Sequence, residues 1–275
     1  MAPVTDWALG LDVGGTKIAA GLVRCDTGVV EGFEVRPTPV ADGGEAVLAS
    51  CVDLAQRVLA ATGWKGSVPV GVGICELVDL AGHTIAATTI DWRCCDVSGA
   101  FAGVGPATLV SDVRAAAVAE AVHGAGIGQT PLLYLSVGTG ISHCLVVDQM
   151  AYAGAHGGAI LTGAPLIEDR AAGPAISREA NRSTQEALTD PDCDGIVDRA
   201  ASLTGEALAF LVNALDPAMV VVGGGLGLQA RYRHAATARM REMAAPQVRD
   251  IVVCPAELGA AAGTVGAALV AARPC

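Results

Sequence analysis

Positive charge is what this sequence has least of. Lysine occurs only at Lys17 and Lys65, and lysine and arginine together number 17 against 28 aspartates and glutamates, a formal charge of −11. Nucleic acid and anionic membranes both select a concentrated basic surface, and no basic run or basic helix supplies one. Long apolar runs are missing too, since Gly, Arg, Asp or Pro interrupts each one before it reaches membrane-spanning length. The N-terminus lacks the basic, then apolar, then small-residue order of a signal peptide. The nine cysteines are scattered and odd in number, and nothing resembles a paired zinc framework. They read as reduced, mostly buried small hydrophobes. These absences point to a soluble cytoplasmic protein whose partners are neither nucleic acid nor membrane.

What is present is a chain of 275 residues, 52% hydrophobic and 16% charged, long enough for two domains. Strands are expected at 7–13, 17–24, about 29–35, 67–74, 106–112, 131–140, 142–149, 218–225 and 250–256. The stripe Val47, Leu48, Val52, Leu54, Val58, Leu59 predicts a helix over 44–61, and further helices follow at 113–124, 195–215 and 260–272. Strand-turn-strand followed by β/α alternation thus occurs twice, although the letters of the halves do not repeat. The expected fold class is α/β, with two domains facing each other across a central cleft. The boundary is placed near residue 112, giving domains 1–111 and 112–275, with the final helix free to pack back on the first.

Three glycine turns end predicted strands. In GLDVGGTKIAAGLV (10–23), Gly14-Gly15-Thr16 reads as a hairpin turn, because glycine takes positive φ at no steric cost. It matches neither the P-loop nor the dinucleotide fingerprint. Its unpaired amides and the Thr16 hydroxyl can still face a phosphate, with Lys17 adding charge or pointing to solvent. Asp12, at the strand end, is suited to hold Mg²⁺ through water. Gly138-Thr139-Gly140 repeats the design, and Gly223-Gly224-Gly225 ends a valine-rich strand where a flat ring can lie against bare backbone. Each is an ordinary turn taken alone; three together suggest a nucleotide site.

With these motifs in place, the chain resembles the ROK family (repressors, open reading frames and sugar kinases) of the actin-like ATPase superfamily, whose domains are ribonuclease H-like. LDVGGTK (11–17) is similar to the family's first phosphate motif and Gly138-Thr139-Gly140 to its second. NALDPAMVVVGGG (213–225) is similar to its adenosine loop, and LGAAAGTVGAALVA (258–271) to its close. The resemblance implies phosphorylation of a sugar hydroxyl by ATP with Mg²⁺, the sugar lying between two closing domains, and a homodimer. Its catalytic carboxylate carries over as Asp112, with Ser111 replacing the usual sugar-contacting asparagine. From the residues alone, either one would also cap the following helix.

The acceptor region departs from the family pattern. Leu161 and Ala164 stand where a sugar-binding Glu and His are usual, and the zinc-binding segment is missing, so no zinc site is expected. Gly158 either meets the substrate through its backbone or forms a plain turn, while LIEDRAAGPAI carries Glu168 over as a sugar-binding carboxylate. Glu76 replaces a usual glycine, and Thr88 and Thr89 lie where many relatives have a sugar-contacting asparagine. Glu76 and Asp91 are expected at the surface; facing the cleft, either would favour a cationic acceptor. The implied function is an ATP-dependent kinase acting on a hexose or hexose-like compound, amino sugars and cyclitols included. The competing reading is a non-catalytic sugar or nucleotide sensor. A repressor is disfavoured by the charge and by the eleven residues that precede Asp12.

Overall fold

The apolar runs flanking Gly14-Gly15-Thr16 pair as an antiparallel hairpin, β1 (Trp7–Val13) and β2 (Lys17–Arg24), with Val13 opposite Ile18. The structure is a computed structural model that describes residues 5–85, 87–155 and 167–273. The chain continues through β3 (Val30–Pro37), α1 (Gly44–Thr62), β4 (Val70–Ile74), α2 (Val97–Ala100), β5 (Ala107–Ser111) and α3 (Asp112–His123). A second hairpin follows, β6 (Leu132–Val137) and β7 (Ile141–Val147), then β8 (Met150–Ala151), α4 (Glu168–Ala171), α5 (Gly173–Ala180) and α6 (Thr184–Ala187). The last elements are α7 (Asp194–Leu215), β9 (Met219–Gly223), α8 (Ala230–Met243), β10 (Val253–Pro255) and α9 (Ala262–Ala271). The apolar stripe expected on α1 is the face it buries, through Val47, Leu48, Cys51, Leu54, Ala55 and Val58. No described helix is long and apolar enough to cross a membrane.

Two sheets organise these elements, in the orders β3-β2-β1-β4-β5 and β10-β9-β6-β7-β8. In the first, β4 and β5 run parallel to β1; in the second, β9 and β10 run parallel to β6. Each sheet is therefore an antiparallel hairpin extended by two parallel strands on one side and one further strand on the other, the duplicated plan expected from the alternation of elements.

The contacts divide the chain into Met1–Ile127, Gln149–Ala159 and Leu258–Cys275 as one unit, and Gly128–Asp148 and Ile160–Glu257 as the other. This differs from a single cut at residue 112. Helix α3 stays with the first unit because α9 returns to pack on it, so tightly that a Cβ at Gly266 would overlap the Ala115 carbonyl.

The same helix lies directly on the first sheet. Gly21, Gly10 and Gly71 are neighbours in register across β2, β1 and β4, forming a strip without side chains. A Cβ at Gly10 would overlap the Thr264 carbonyl oxygen, and one at Gly71 the Ala267 carbonyl. Glycine is required there for close approach, since a methyl group would lift the helix off the strands.

In the second unit, α7 and α8 cover Leu133, Leu135, Val137, Val220 and Val222 of the sheet. The buried Tyr232 hydroxyl is 2.7 Å from the Thr204 hydroxyl and donates to the Ala171 carbonyl at 2.9 Å, which fixes α4 against α7 and α8.

Gly71→Ala is expected to destabilise the first unit by roughly 1–3 kcal/mol or more, the usual cost of overpacking. Gly103→Ala, with open space at its Cβ, should stay within about 0.5 kcal/mol of the parent. Denaturant unfolding of the two variants measures the contrast, and equal stabilities would refute the close approach of α9.

Candidate active site

Three parallel strands of the first unit end side by side, and each delivers a carboxylate to its C-terminal edge. Asp12 of β1 lies beside Gly73 of β4, and Gly73 lies beside Val110 of β5. Glu76 follows β4 by two residues, and Asp112 opens α3 directly after β5. The C-terminal edge of parallel strands is the usual place for ligands in α/β sheets.

Asp112 is half-buried. Its Oδ1 accepts the Val113 amide at 2.6 Å, and its carboxylate is also hydrogen-bonded by Ser111. Ser111 occupies the N-cap position of α3 without making the capping hydrogen bond, so it orients Asp112 instead. Burial pushes the Asp112 carboxyl up to about 6, the negative charges of Asp12 and Glu76 add to the rise, and the Val113 and Ser111 hydrogen bonds oppose it. Burial also raises the Asp12 carboxyl, with the Lys17 ammonium pulling it back down. Among the described residues no hydrogen bond contributes to Asp12, and a Cβ at Gly263 of α9 would run into its carboxylate. Sequence reasoning missed Gly263; its signal was a glycine inside an alanine-rich helix, close to where that helix begins.

Glu76 corrects an expectation. It is 3% exposed rather than a surface residue. Its carboxylate accepts the amides of Thr88 (2.8 Å), Thr89 (2.5 Å) and Ile90 (2.9 Å) and the Thr88 hydroxyl (2.7 Å). Burial would raise its pKa, but these hydrogen bonds outweigh burial and leave it lowered. Asp91 is exposed as expected, and both its oxygens are engaged by the Arg93 guanidinium at 2.7 and 2.8 Å. Neither carboxylate is free to select a cationic acceptor.

The first glycine turn is a hairpin turn, but for a different reason than positive φ. Neither Gly14 nor Gly15 has a left-handed backbone. Gly15 is needed because a Cβ there would come within 2.7 Å of the Thr89 methyl group. The turn is closed by the Gly14 amide donating to the Lys17 carbonyl at 3.0 Å. It is braced by Thr38, whose hydroxyl donates to the Gly14 carbonyl at 2.6 Å and whose amide donates to the Thr16 carbonyl at 3.0 Å. Gly15, Thr16 and Lys17 are exposed, and the amides of Gly15 and Thr16 donate to no group among the described residues. That arrangement suits an anion.

The second unit brings the other two glycine turns together. The Val137 carbonyl accepts the Leu226 and Gly227 amides at 3.0 and 2.9 Å, which ties the end of β6 to the turn after β9. Gly224 has φ +78° and its Cβ position is filled by the Val137 backbone, whereas Gly225 faces open space. The Gly138 amide donates to the Gly140 carbonyl at 2.9 Å, and the Gly138 carbonyl accepts the Gly173 amide at 2.8 Å. A cavity of about 690 Å³ opens here, lined by Gly138, Thr139 and Gly225, by Ser177, Thr184 and Gln185, and by Leu188 and Leu226 among others. Among the described residues, no charged side chain lines it. Glu168, the first residue of α4, stands at the second turn, where its Oε2 accepts the Ile141 amide at 3.4 Å and a Cβ at Gly140 would approach to 2.9 Å. Gly158, Leu161 and Ala164 lie outside the described residues.

The raised Asp112 carboxyl has a measurable consequence. The folded chain keeps this proton up to about pH 6, whereas an ordinary aspartate releases it near 3.8, so stability falls as pH rises through that window. A rise of about two pKa units corresponds to at most about 3 kcal/mol. Asp112→Asn keeps an oxygen for the Val113 amide, so it is expected to raise the melting temperature at about pH 8 and to lose that advantage near about pH 4. Thermal unfolding across this range tests it, and an unchanged or lower melting temperature at the alkaline end contradicts it.

Known proteins resemble this chain over nearly its whole length. A ROK hexokinase from Thermus thermophilus is 33% identical and superposes with a TM-score of 0.82 over 96% of this chain and 97% of that one. A ROK family glucokinase from Streptomyces griseus, solved with glucose and AMPPNP, is 25% identical with a TM-score of 0.81 over 96% and 99% of the two chains. A glucokinase of Streptomyces coelicolor is 29% identical over 322 residues, covering 97% of this chain and 98% of its own. The family model described as "ROK family" matches residues 8–273, and the chain belongs to that family.

Proposed function

We propose that this chain is a cytoplasmic ATP-dependent sugar kinase that transfers the γ-phosphoryl group of ATP to a hydroxyl of a hexose or hexose-like acceptor. The observation that carries the reading is Asp112. It is a half-buried carboxylate with a pKa of about 6, oriented by Ser111 and the Val113 amide on the strand edge that also bears Asp12. At neutral pH such a group is mostly ionised yet still basic enough to accept a hydroxyl proton. The acceptor oxygen then bonds to the γ-phosphorus, the bond from that phosphorus to the β–γ bridging oxygen breaks, and ADP leaves.

The remaining residues support positioning and charge stabilisation, which dominate phosphoryl transfer. The exposed amides of Gly15 and Thr16, with Lys17 beside them, suit phosphate oxygens. The cavity at Gly138, Thr139 and Gly225 suits a nucleoside, with hydroxyl and amide groups for polar edges and Leu188 and Leu226 for ring faces. In this reading Gly140, Gly223 and Gly224 shape those turns, and Glu168 and Gly158 belong to the acceptor side. Asp12 fits Mg²⁺ held through water, as a hard carboxylate with no hydrogen bond of its own and Lys17 as a neighbouring charge. When bound, the ion supplies neutralisation of phosphate charge. The family resemblance adds a homodimer.

The S. griseus relative holds glucose and a nucleotide analogue, so glucose is the first acceptor to test, followed by amino sugars and cyclitols. ADP release with MgATP is expected for at least one of them. Asp112→Asn should lower kcat by about 10²–10⁴-fold, the usual worth of a general base, with AMPPNP affinity by calorimetry nearly unchanged. Acceptor binding without any turnover would favour the sensor reading, and an unchanged rate in the variant would remove Asp112 from the chemistry.

A further inference from the structure

The segment Gly73-Ile74-Cys75-Glu76 ends a buried parallel strand with an acid. Burying a carboxylate is unfavourable unless its lone pairs are filled. Here the three consecutive amides of Thr88, Thr89 and Ile90 and the Thr88 hydroxyl all donate to it, at 2.5 to 2.9 Å. Few loops collect three successive amides on one side chain, and the result is a clamp with one internal anchor.

The clamp holds a particular piece of surface. On one side of it, Ile90 and Trp92 are buried at 2% exposure in the core of the first unit. On the other side, Thr88 and Thr89 are exposed. The Thr89 methyl group packs against Gly15 of the first glycine turn, and its side chain is hydrogen-bonded to the Cys75 thiol. Ile74 at the end of β4 pairs with Ser111 at the end of β5, so Glu76 and the Thr88 and Thr89 rim it holds stand on the strand edge that carries Asp112. The segment after Glu76 is fixed as well, through the Val78 carbonyl, which accepts the Arg114 guanidinium at 2.8 Å.

The Thr88 hydroxyl has a defined polarity. Its proton is directed to Glu76, so its oxygen offers outward only lone pairs, which suit an incoming hydroxyl. Glu76 itself already accepts four hydrogen bonds and is buried, so it offers the rim no open lone pair.

We propose that Glu76 is a positioning residue for the acceptor, holding Thr88 and Thr89 as a fixed, hydrogen-bond-accepting rim beside Asp112. This rests on the sugar-kinase reading above. The role is indirect: Glu76 acts through the loop and does not touch the substrate.

The test combines kinetics with amide hydrogen exchange on the full chain, comparing wild type, Glu76→Gln, Glu76→Asp and Thr88→Val with MgATP and the best acceptor found. Glu76→Gln turns an amide NH₂ toward donors. It should speed exchange at residues 88–90 about tenfold and raise acceptor KM about tenfold, with ATP KM and kcat changing less than about threefold. Glu76→Asp keeps the charge and should recover part of the loss. Thr88→Val removes both one donor to Glu76 and the rim's accepting oxygen and should raise acceptor KM about threefold. Glu76→Asp, with its partial loss in both exchange and KM, decides the positioning role if Glu76→Gln does not fold. Faster exchange with unchanged acceptor KM overturns the proposal, as does a parallel rise in both KM values with a fall in kcat. A wild type that phosphorylates no acceptor overturns the kinase reading and the acceptor role with it; the exchange data then decide only whether Glu76 anchors the loop.

Discussion

The backbone-to-backbone approach of α9 to the first sheet is the constraint on which the carboxylate-bearing strand edge depends. A helix normally sits on a sheet at side-chain distance, and here the strip Gly21-Gly10-Gly71 removes the side chains that would keep it away. Two consequences follow from that depth. Gly263, in the first turn of α9, meets the Asp12 carboxylate, bringing the electropositive start of the helix to a buried negative charge. Gly266 meets the backbone of α3 at Ala115, three residues beyond Asp112. A helix at the far end of the sequence thereby seats two of the three carboxylates, which explains why it packs with the first unit rather than with its neighbours in sequence.

Gathering three carboxylates on one strand edge is costly, and each is accommodated by a different means. Glu76 is held ionised by four hydrogen bonds that replace its water, and it works as structure. Asp12 is offset by Lys17, one of only two lysines in the chain, and has no hydrogen bond to satisfy it. Asp112 carries the residual strain as a raised pKa, which makes it a better proton acceptor than an ordinary aspartate. Burial therefore destabilises the one carboxylate whose basicity the proposed reaction would use, while Glu76, which supports the loop, is kept ionised.

The β/α alternation was legible because apolar runs bounded by glycine turns are governed by local physics; β1, β2, α1 and α7 fall within a residue or two of the expected ranges. Long-range packing was not legible. The turn at Gly14-Gly15 was identified, but its glycine answers to the Thr89 methyl group some seventy positions away rather than to φ. Glu76 reads as a surface acid because composition cannot show that three amides from residues 88–90 will converge on it. Asp91 was legible because its partner, Arg93, is two residues away. The division at residue 112 missed α3 for the same reason that Gly263 was missed, since both depend on where a distant helix returns.

The nucleotide side follows a different logic from the acceptor side. The second unit's cavity offers glycine backbone, hydroxyls, an amide and two leucines, with no cation. Coulombic attraction to phosphate therefore contributes little there, and a chain of net charge −11 repels polyanions at long range. Affinity in such a cavity must come from the flat, weakly polar part of a donor rather than from its phosphates. A phosphate donor lacking a base would forgo the larger share of that binding. On the proposed function, the scarcity of lysine bears on donor choice, because it leaves the nucleoside as the part of the donor that suits this pocket.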